Sequence, residues 1–217
     1  MAKISAFIFD VDGVITDTAE YQYLSWKRLA DEEGLAFTRQ DNDQLRGVTR
    51  RQSMLFLLKG KVVPEATMQV WMERKNAYYQ EYVAQMSSKD LMAGVERFLQ
   101  EAQAAGIKLG IGSASRNAKP VLEKLGVLHY FEAIGDATSV VHNKPEPHLF
   151  AWVAGALRTP IAEVCIFEDS EAGISAACAL GCYSVGLGTA KVQAASLCYP
   201  DLSQLSVSAL LAALEGL

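Results

Sequence analysis

The stretch Phe7-Ile8-Phe9-Asp10-Val11-Asp12-Gly13-Val14-Ile15-Thr16-Asp17-Thr18 decides the architecture. Ala6 to Phe9 is a short apolar run of the kind that forms a strand buried on both faces of a parallel sheet. Asp10 and Asp12 then stand at the C-terminal end of that strand, where open α/β sheets bind their ligands. Two carboxylates this close repel each other, and a hard divalent cation on oxygen ligands is the simplest offset. A carboxylate near a metal can act as a nucleophile, with a second one as acid and base. Asp-x-Asp-Gly also fits a plain turn after a strand, or half of a calcium loop. The calcium loop is disfavoured because no Asp/Asn ladder or closing Glu follows at loop spacing.

The chain has 217 residues, 50% of them hydrophobic, enough for one large domain or two modest ones. A net charge of −5 and a pI near 5.3 exclude a generally basic surface for nucleic acid. No apolar run reaches membrane-spanning length and no signal-peptide pattern opens the chain. A cytoplasmic monomer is expected, with no membrane or nucleic-acid partner. Cys165, Cys178, Cys182 and Cys198 lack zinc-site spacing and read as small buried hydrophobes. His129, His142 and His148 are scattered, so a surface or packing role is expected for each.

Two textures alternate along the chain. Ala19 to about Glu33 reads as a helix ending at Gly34. Met68, Met72, Tyr79, Val83 and Met86 fall at helical spacing in a second, longer helix. Between them Leu45-Arg46-Gly47-Val48-Thr49-Arg50 is a polar segment with a glycine hinge. Asp31, Glu32 and Glu33 read as a solvated helix end, and the tyrosines Tyr21, Tyr23, Tyr78, Tyr79 and Tyr82 as packing. No strand is predicted from Thr18 to Met86. Beyond Met86, predicted strands at Leu109–Ile111, Val164–Phe167 and Tyr183–Gly186 alternate with helices. Those helices are marked by Val95–Ala102, Val121–Leu125, Leu149–Leu157, Ala172–Leu180 and Val207–Leu214. Alternating strands and helices imply a parallel sheet with right-handed crossovers. The fold class expected is α/β: a Rossmann-like parallel sheet core flanked by helices, residues 1–17 and 88–217, with an inserted all-helical cap domain, residues 18–87.

Three more strand ends or loops carry polar chemistry. Ser113-Ala114-Ser115 follows a strand and precedes a helix, where hydroxyls and free N–H groups hold anions. Lys144-Pro145-Glu146-Pro147 brings a lysine to a proline-stiffened helix start. Glu168-Asp169-Ser170 supplies acids suited to a metal site shared with Asp10. Singly, these fit a helix cap, a loop and a capped helix entry. Together, at strand ends of one sheet, they make one phosphoryl-transfer site.

These four pieces resemble the motifs of the haloacid dehalogenase superfamily, over nearly the whole chain. Asp-Gly-Val-Ile-Thr-Asp-Thr-Ala-Glu-Tyr, Arg-Gly-Val-Thr-Arg with Ser53, Arg74-Lys75-Asn76, Ser113 to Asn117, Lys144 to Pro147 and Glu168 to Ile174 narrow the likeness to its β-phosphoglucomutase-like subfamily. The resemblance implies Asp10 as the nucleophile that becomes an aspartyl phosphate and Asp12 as general acid and base. It implies Mg2+ on Asp10, Asp12 (through its backbone carbonyl), Glu168 and Asp169. Ser113, Ala114 and Lys144 would hold the transferring phosphoryl group, and Thr18 would position the acid/base. Arg50, Ser115 and Asn117 match the distal phosphate pocket, and Arg116 is a further substrate-binding position. Gln22, Trp26, Arg46, Gly47, Val48, Ser53, Lys75 and Asn76 match cap positions near the sugar. The implied reaction interconverts β-glucose 1-phosphate and glucose 6-phosphate. Glucose 1,6-bisphosphate serves as its intermediate and activator.

A cation such as Arg50 suits the phosphate that is not reacting, which a simple phosphatase does not need. Two positions depart from the family pattern. Gln22 stands where a histidine is usual and cannot take up a proton near neutral pH. Arg46 stands where lysine is usual, which keeps the charge but alters its reach. A phosphatase acting on a small sugar phosphate is the alternative. A silent sugar-phosphate sensor is a third reading, disfavoured because a binder has no use for Asp10, Asp12, Lys144 and Asp169 together.

Overall fold

The computed structural model describes residues 3–188 and 192–217. Six strands form one wholly parallel sheet: β1 Ala6–Phe9, β2 Lys108–Gly112, β3 Ala133–Gly135, β4 Val164–Glu168, β5 Tyr183–Leu187 and β6 Leu197–Tyr199. Their order across the sheet is β3-β2-β1-β4-β5-β6. β1 is central, with Ile8 level with Gly110 of β2 and with Ile166 of β4. The chain leaves β1 toward one side and later returns to the other, so the crevice of this open sheet lies at the C-terminal ends of β1, β2 and β4.

The helices packed on the sheet are α5 Val95–Ala104, α6 Ala118–Leu125, α7 His148–Ala156, α8 Glu171–Leu180 and α9 Val207–Glu215. β1 shows why its sequence has no polar alternation: both faces are covered. Ala6 and Ile8 belong to a cluster with Phe150, Val153, Ala176 and Ala177 of α7 and α8. Phe7 and Phe9 face the other way, against Phe98, Val121, Phe167 and Leu210. Phe9 stacks on Phe167 at 4.4 Å and Phe7 on Phe98 at 5.8 Å. Each fully buried phenylalanine contributes roughly 1.5–3 kcal/mol of burial, so this aromatic block fixes the strand that carries Asp10.

Four helices lie between β1 and α5 in the chain: α1 Ala19–Glu32, α2 Arg39–Asp43, α3 Arg50–Leu58 and α4 Glu65–Val83. They share a core of their own, including Trp26, Leu29, Phe37, Met54, Leu57 and Met72. Tyr79 and Val83 of α4 join the large core under the sheet instead. The two connections to the insertion touch each other: the Thr16 hydroxyl donates to the Asp90 carbonyl at 2.6 Å, and the Met92 N–H to the Ile15 carbonyl at 2.9 Å.

The expected elements are present, with four additions: α2, α3, β3 and β6. The polar Leu45–Arg50 segment stops one residue early as a loop, because Arg50 opens α3 behind a Thr49/Gln52 capping box. Met86 lies beyond the end of α4 yet is buried. Glu32 and Glu33 are not merely solvated. Glu32 accepts from the Tyr78 hydroxyl at 2.7 Å, and Glu33 pairs with Arg74, which ties α1 to α4. Cys165 is buried as expected, but Cys178 and Cys198 are exposed, on α8 and on the outermost strand. All three histidines are exposed. Among the described residues no helix is long and apolar enough to cross a membrane.

Candidate active site

Asp10 continues the sheet ladder, its N–H donating to the Phe167 carbonyl at 3.0 Å. This holds its carboxylate at the end of β1, beside the loop that follows β4. Lys144 lies beneath it with no exposed surface, its Nζ 3.0 Å from Asp10 Oδ1 and also bonded to Glu168 Oε1. The second Glu168 oxygen accepts from the N–H groups of Asp169 and Ser170, each at 3.0 Å, and from the Ser170 hydroxyl at 2.8 Å. The same Ser170 hydroxyl accepts from the Gly173 N–H and caps α8. Glu168 Oε2 is thus saturated, while Oε1 has only Lys144.

Asp10, Glu168 and Asp169 each offer an oxygen within 4.8 Å of the others. Burial, opposed by Lys144 and reinforced by the neighbouring carboxylates, holds the Asp10 carboxyl well above the usual carboxylate range. Burial and Glu168 push Asp169 up to about 7. Burial works against the charge on Lys144, but Asp10 and Glu168 outweigh it and hold its pKa above the ordinary lysine value. Hard oxygens and uncompensated negative charge fit a divalent cation. The Asp12 carboxylate is not in this cluster. It accepts a hydrogen bond from Thr18, and burial raises its pKa against that bond.

One cavity of about 380 Å³ opens above the cluster, between the sheet and the helical insertion. At its sheet end are Asp10, Asp12, Asp169, Ser113 and Ala114. The Ser113 hydroxyl accepts from the Ser115 N–H at 3.2 Å, and the Ser115 hydroxyl from the Asn117 N–H at 3.1 Å, which shapes a short polar turn into α6. Arg50, Arg116, Ser115 and Asn117 line the same cavity. Asn76 stands behind them, its Oδ1 accepting from Arg50 at 2.7 Å and from Asn117 at 2.9 Å. Neither guanidinium enters an ion pair among the described residues. Burial and then Arg116 lower the Arg50 pKa, the mark of two cations held close.

The lining also includes Thr18, Gln22, Trp26, Gly47, Val48, Ser53 and Lys75. Lys75 donates to Gln22 Oε1, and its Nζ lies 4.8 Å from the Trp26 ring centre and 4.9 Å from that of Tyr79. One face of Trp26 is thus taken by Lys75 rather than left bare for a sugar. Arg46 crosses to the sheet and pairs with Asp169 Oδ2 at 3.0 Å. Of the candidate residues, Lys144, Glu168 and Asn76 do not line the cavity and act from one layer behind. Sequence reasoning missed Asn42, Thr49, Arg51, Gln69, Met72 and Asn143 in the lining. Thr49 carried a signal, the Thr-x-x-Gln capping pattern; the others lie on helical faces, or for Asn143 in a loop, with no motif.

A family model described as haloacid dehalogenase-like hydrolase matches residues 7–187. The chain belongs to that family and is an enzyme. Within it, the chain is 39% identical over 189 residues to β-phosphoglucomutase of Bacillus subtilis (strain 168), covering 85% of this chain and 84% of that one. The crystal structure of β-phosphoglucomutase from Clostridium difficile superposes with a TM-score of 0.95 at 34% identity, over 98% of both chains. A phosphorylated carbohydrates phosphatase of Thermotoga maritima is 25% identical over 180 residues, 82% of each chain.

Proposed function

We propose that the enzyme is a sugar-phosphate mutase, dependent on Mg2+, that interconverts β-D-glucose 1-phosphate and glucose 6-phosphate through glucose 1,6-bisphosphate. The observation that carries this reading is a single cavity whose lining joins the Asp10 cluster to a second group of cations, Arg50 and Arg116, with no ion pair between the two groups among the described residues. A monophosphate hydrolase needs only the first. The identity to the Bacillus β-phosphoglucomutase supports the same reading.

In this reading residues 18–87 serve as a cap over a core of residues 1–17 and 88–217. Asp10, Glu168, Asp169 and the Asp12 backbone carbonyl hold Mg2+, which neutralises charge on the transferring phosphoryl group. Asp10 carries the phosphoryl group. Asp12 takes the proton from the sugar O6 hydroxyl as the P–O bond to Asp10 breaks and the bond to O6 forms. In the second half the group on O1 passes to Asp10, and Asp12 returns the proton to O1. Thr18 holds Asp12 in position between the halves. Ser113 and Ala114 receive the moving phosphoryl oxygens, and Lys144, beneath Asp10, supplies positive charge that offsets theirs. Arg50, Ser115, Arg116 and Asn117, ordered by Asn76, hold the phosphate that is not reacting. Gln22, Trp26, Arg46, Gly47, Val48, Ser53 and Lys75 surround the sugar and exclude water.

The second reading is a phosphatase with water as the final acceptor. Gln22 favours it, because a glutamine bonded to Lys75 cannot relay a proton to the acid/base as a histidine does. One assay separates the two. Enzyme with Mg2+, β-glucose 1-phosphate and a trace of glucose 1,6-bisphosphate is followed for glucose 6-phosphate and free phosphate. Rapid glucose 6-phosphate with little phosphate supports the mutase, and phosphate without isomerisation supports the phosphatase.

A further inference from the structure

Arg46 and Asp169 are 123 positions apart in the chain, on the loop between α2 and α3 and on the loop after β4. Their 3.0 Å ion pair joins the helical insertion to the sheet domain. The next residue, Gly47, has φ +74°, and a Cβ there would collide with the Ser170 side chain. The two loops are therefore seated directly on each other. Arg46 and Asp169 also line a second cavity of about 710 Å³, whose wall includes Glu171 and Asp43. The pair thus lines both the cavity above the acidic cluster and the outer one.

We propose that Arg46 is a latch between cap and core whose partner is a member of the acidic cluster, so that closing the latch and loading a divalent cation compete for Asp169. This rests on the reading of Asp10, Glu168 and Asp169 as a cation site. A guanidinium on Asp169 Oδ2 takes a lone-pair position and repels a second cation nearby. By linkage, a cation bound to the cluster must weaken the latch by the same factor as the latch weakens its binding. The Arg46 side chain is 36% exposed, so the contact is weak enough to break reversibly. The cation-free enzyme is held shut, and the loaded enzyme is free to open for substrate.

The test compares full-length wild type with Arg46→Gln and Arg46→Lys by calorimetric titration with Mg2+ and by solution scattering, with no substrate present. Thermal melts confirm that each variant is folded. Arg46→Gln is expected to bind Mg2+ roughly two- to fivefold tighter than wild type, the scale of a partly exposed ion pair. Its metal-free radius of gyration is expected to exceed that of wild type and not to change with Mg2+. Wild type is expected to expand on adding Mg2+, and Arg46→Lys to fall between the two. Equal affinities in wild type and Arg46→Gln overturn the competition. Tighter binding without expansion overturns the latch and leaves only local charge repulsion. Wild type that binds no Mg2+ overturns the cation-site reading and the competition with it, while the metal-free scattering still decides the latch.

Discussion

The Lys144 ammonium lies 3.0 Å from the Asp10 carboxylate, and neither lysine nor its second partner, Glu168, has any exposed surface. One buried cation thus balances two carboxylates, so its removal leaves both uncompensated. Lys144→Met is expected to destabilise the fold by about 3–5 kcal/mol, measured by urea unfolding. Lys144→Met with Glu168→Gln is expected to recover part of that loss. A change under about 1 kcal/mol for the single variant contradicts the balance.

Glu168 owes its place to a missing side chain. A Cβ on Gly173 would run into the Glu168 carboxyl group. Gly173→Ala is expected to cost about 1–3 kcal/mol through overpacking, despite alanine's better helix propensity in α8. The same variant is expected to bind Mg2+ less tightly in a calorimetric titration, because its first casualty is a carboxylate of the acidic cluster. A variant as stable as wild type with unaltered affinity contradicts this packing.

Lys75 is buried, and burial, then Arg50, hold its pKa well below the ordinary lysine value, with Asp12 pulling the other way. Below that lowered pKa the folded state carries a disfavoured charge. Between it and the unfolded value near 10.4 the unfolded chain binds more protons, so this group makes stability rise with pH. Lys75→Met is therefore expected to stabilise the fold by about 1 kcal/mol at neutral pH. The advantage is expected to vanish as the pH approaches the unfolded value. An advantage that is flat with pH contradicts a charged, penalised Lys75.

Arg50 lines the cavity and is bonded to Asn76, away from the Asp10–Lys144–Glu168 chain of contacts. Arg50→Ala is expected to lower formation of glucose 6-phosphate on the order of a hundredfold, while phosphate release from a monophosphate falls less than about tenfold. Arg50→Lys is expected to rescue little, since a point charge does not reproduce a fork. Equal loss of both activities contradicts a dedicated second phosphate site.

Much of this was legible in the chain. Parallel strands buried on both faces read as unbroken apolar runs, and their polar ends mark the crevice, so Asp10, Ser113 and Asp169 could be found from Ala6–Phe9, Leu109–Ile111 and Val164–Phe167 alone. Elements without an apolar period escaped. β3 and β6 have three residues each, and α2 is a five-residue polar turn held by its Thr38/Asp41 capping box. Contacts set by tertiary closure left no local signal: Arg46 with Asp169, Asn76 between Arg50 and Asn117, and Lys75 over Trp26. Ser170 was readable as a helix cap, but its second bond, to Glu168, needs the folded loop.

The most direct test follows the phosphoryl group itself. Enzyme is phosphorylated with glucose 1,6-bisphosphate, the charge on Asp10 confirmed by intact mass and its absence in Asp10→Asn, and β-glucose 1-phosphate in Mg2+ buffer is then mixed in. The account predicts that the group leaves Asp10 for the sugar far faster than for water, giving bisphosphate and then glucose 6-phosphate. Loss to water at a rate unaffected by the sugar, or a phosphorylated Asp10→Asn variant, would contradict it.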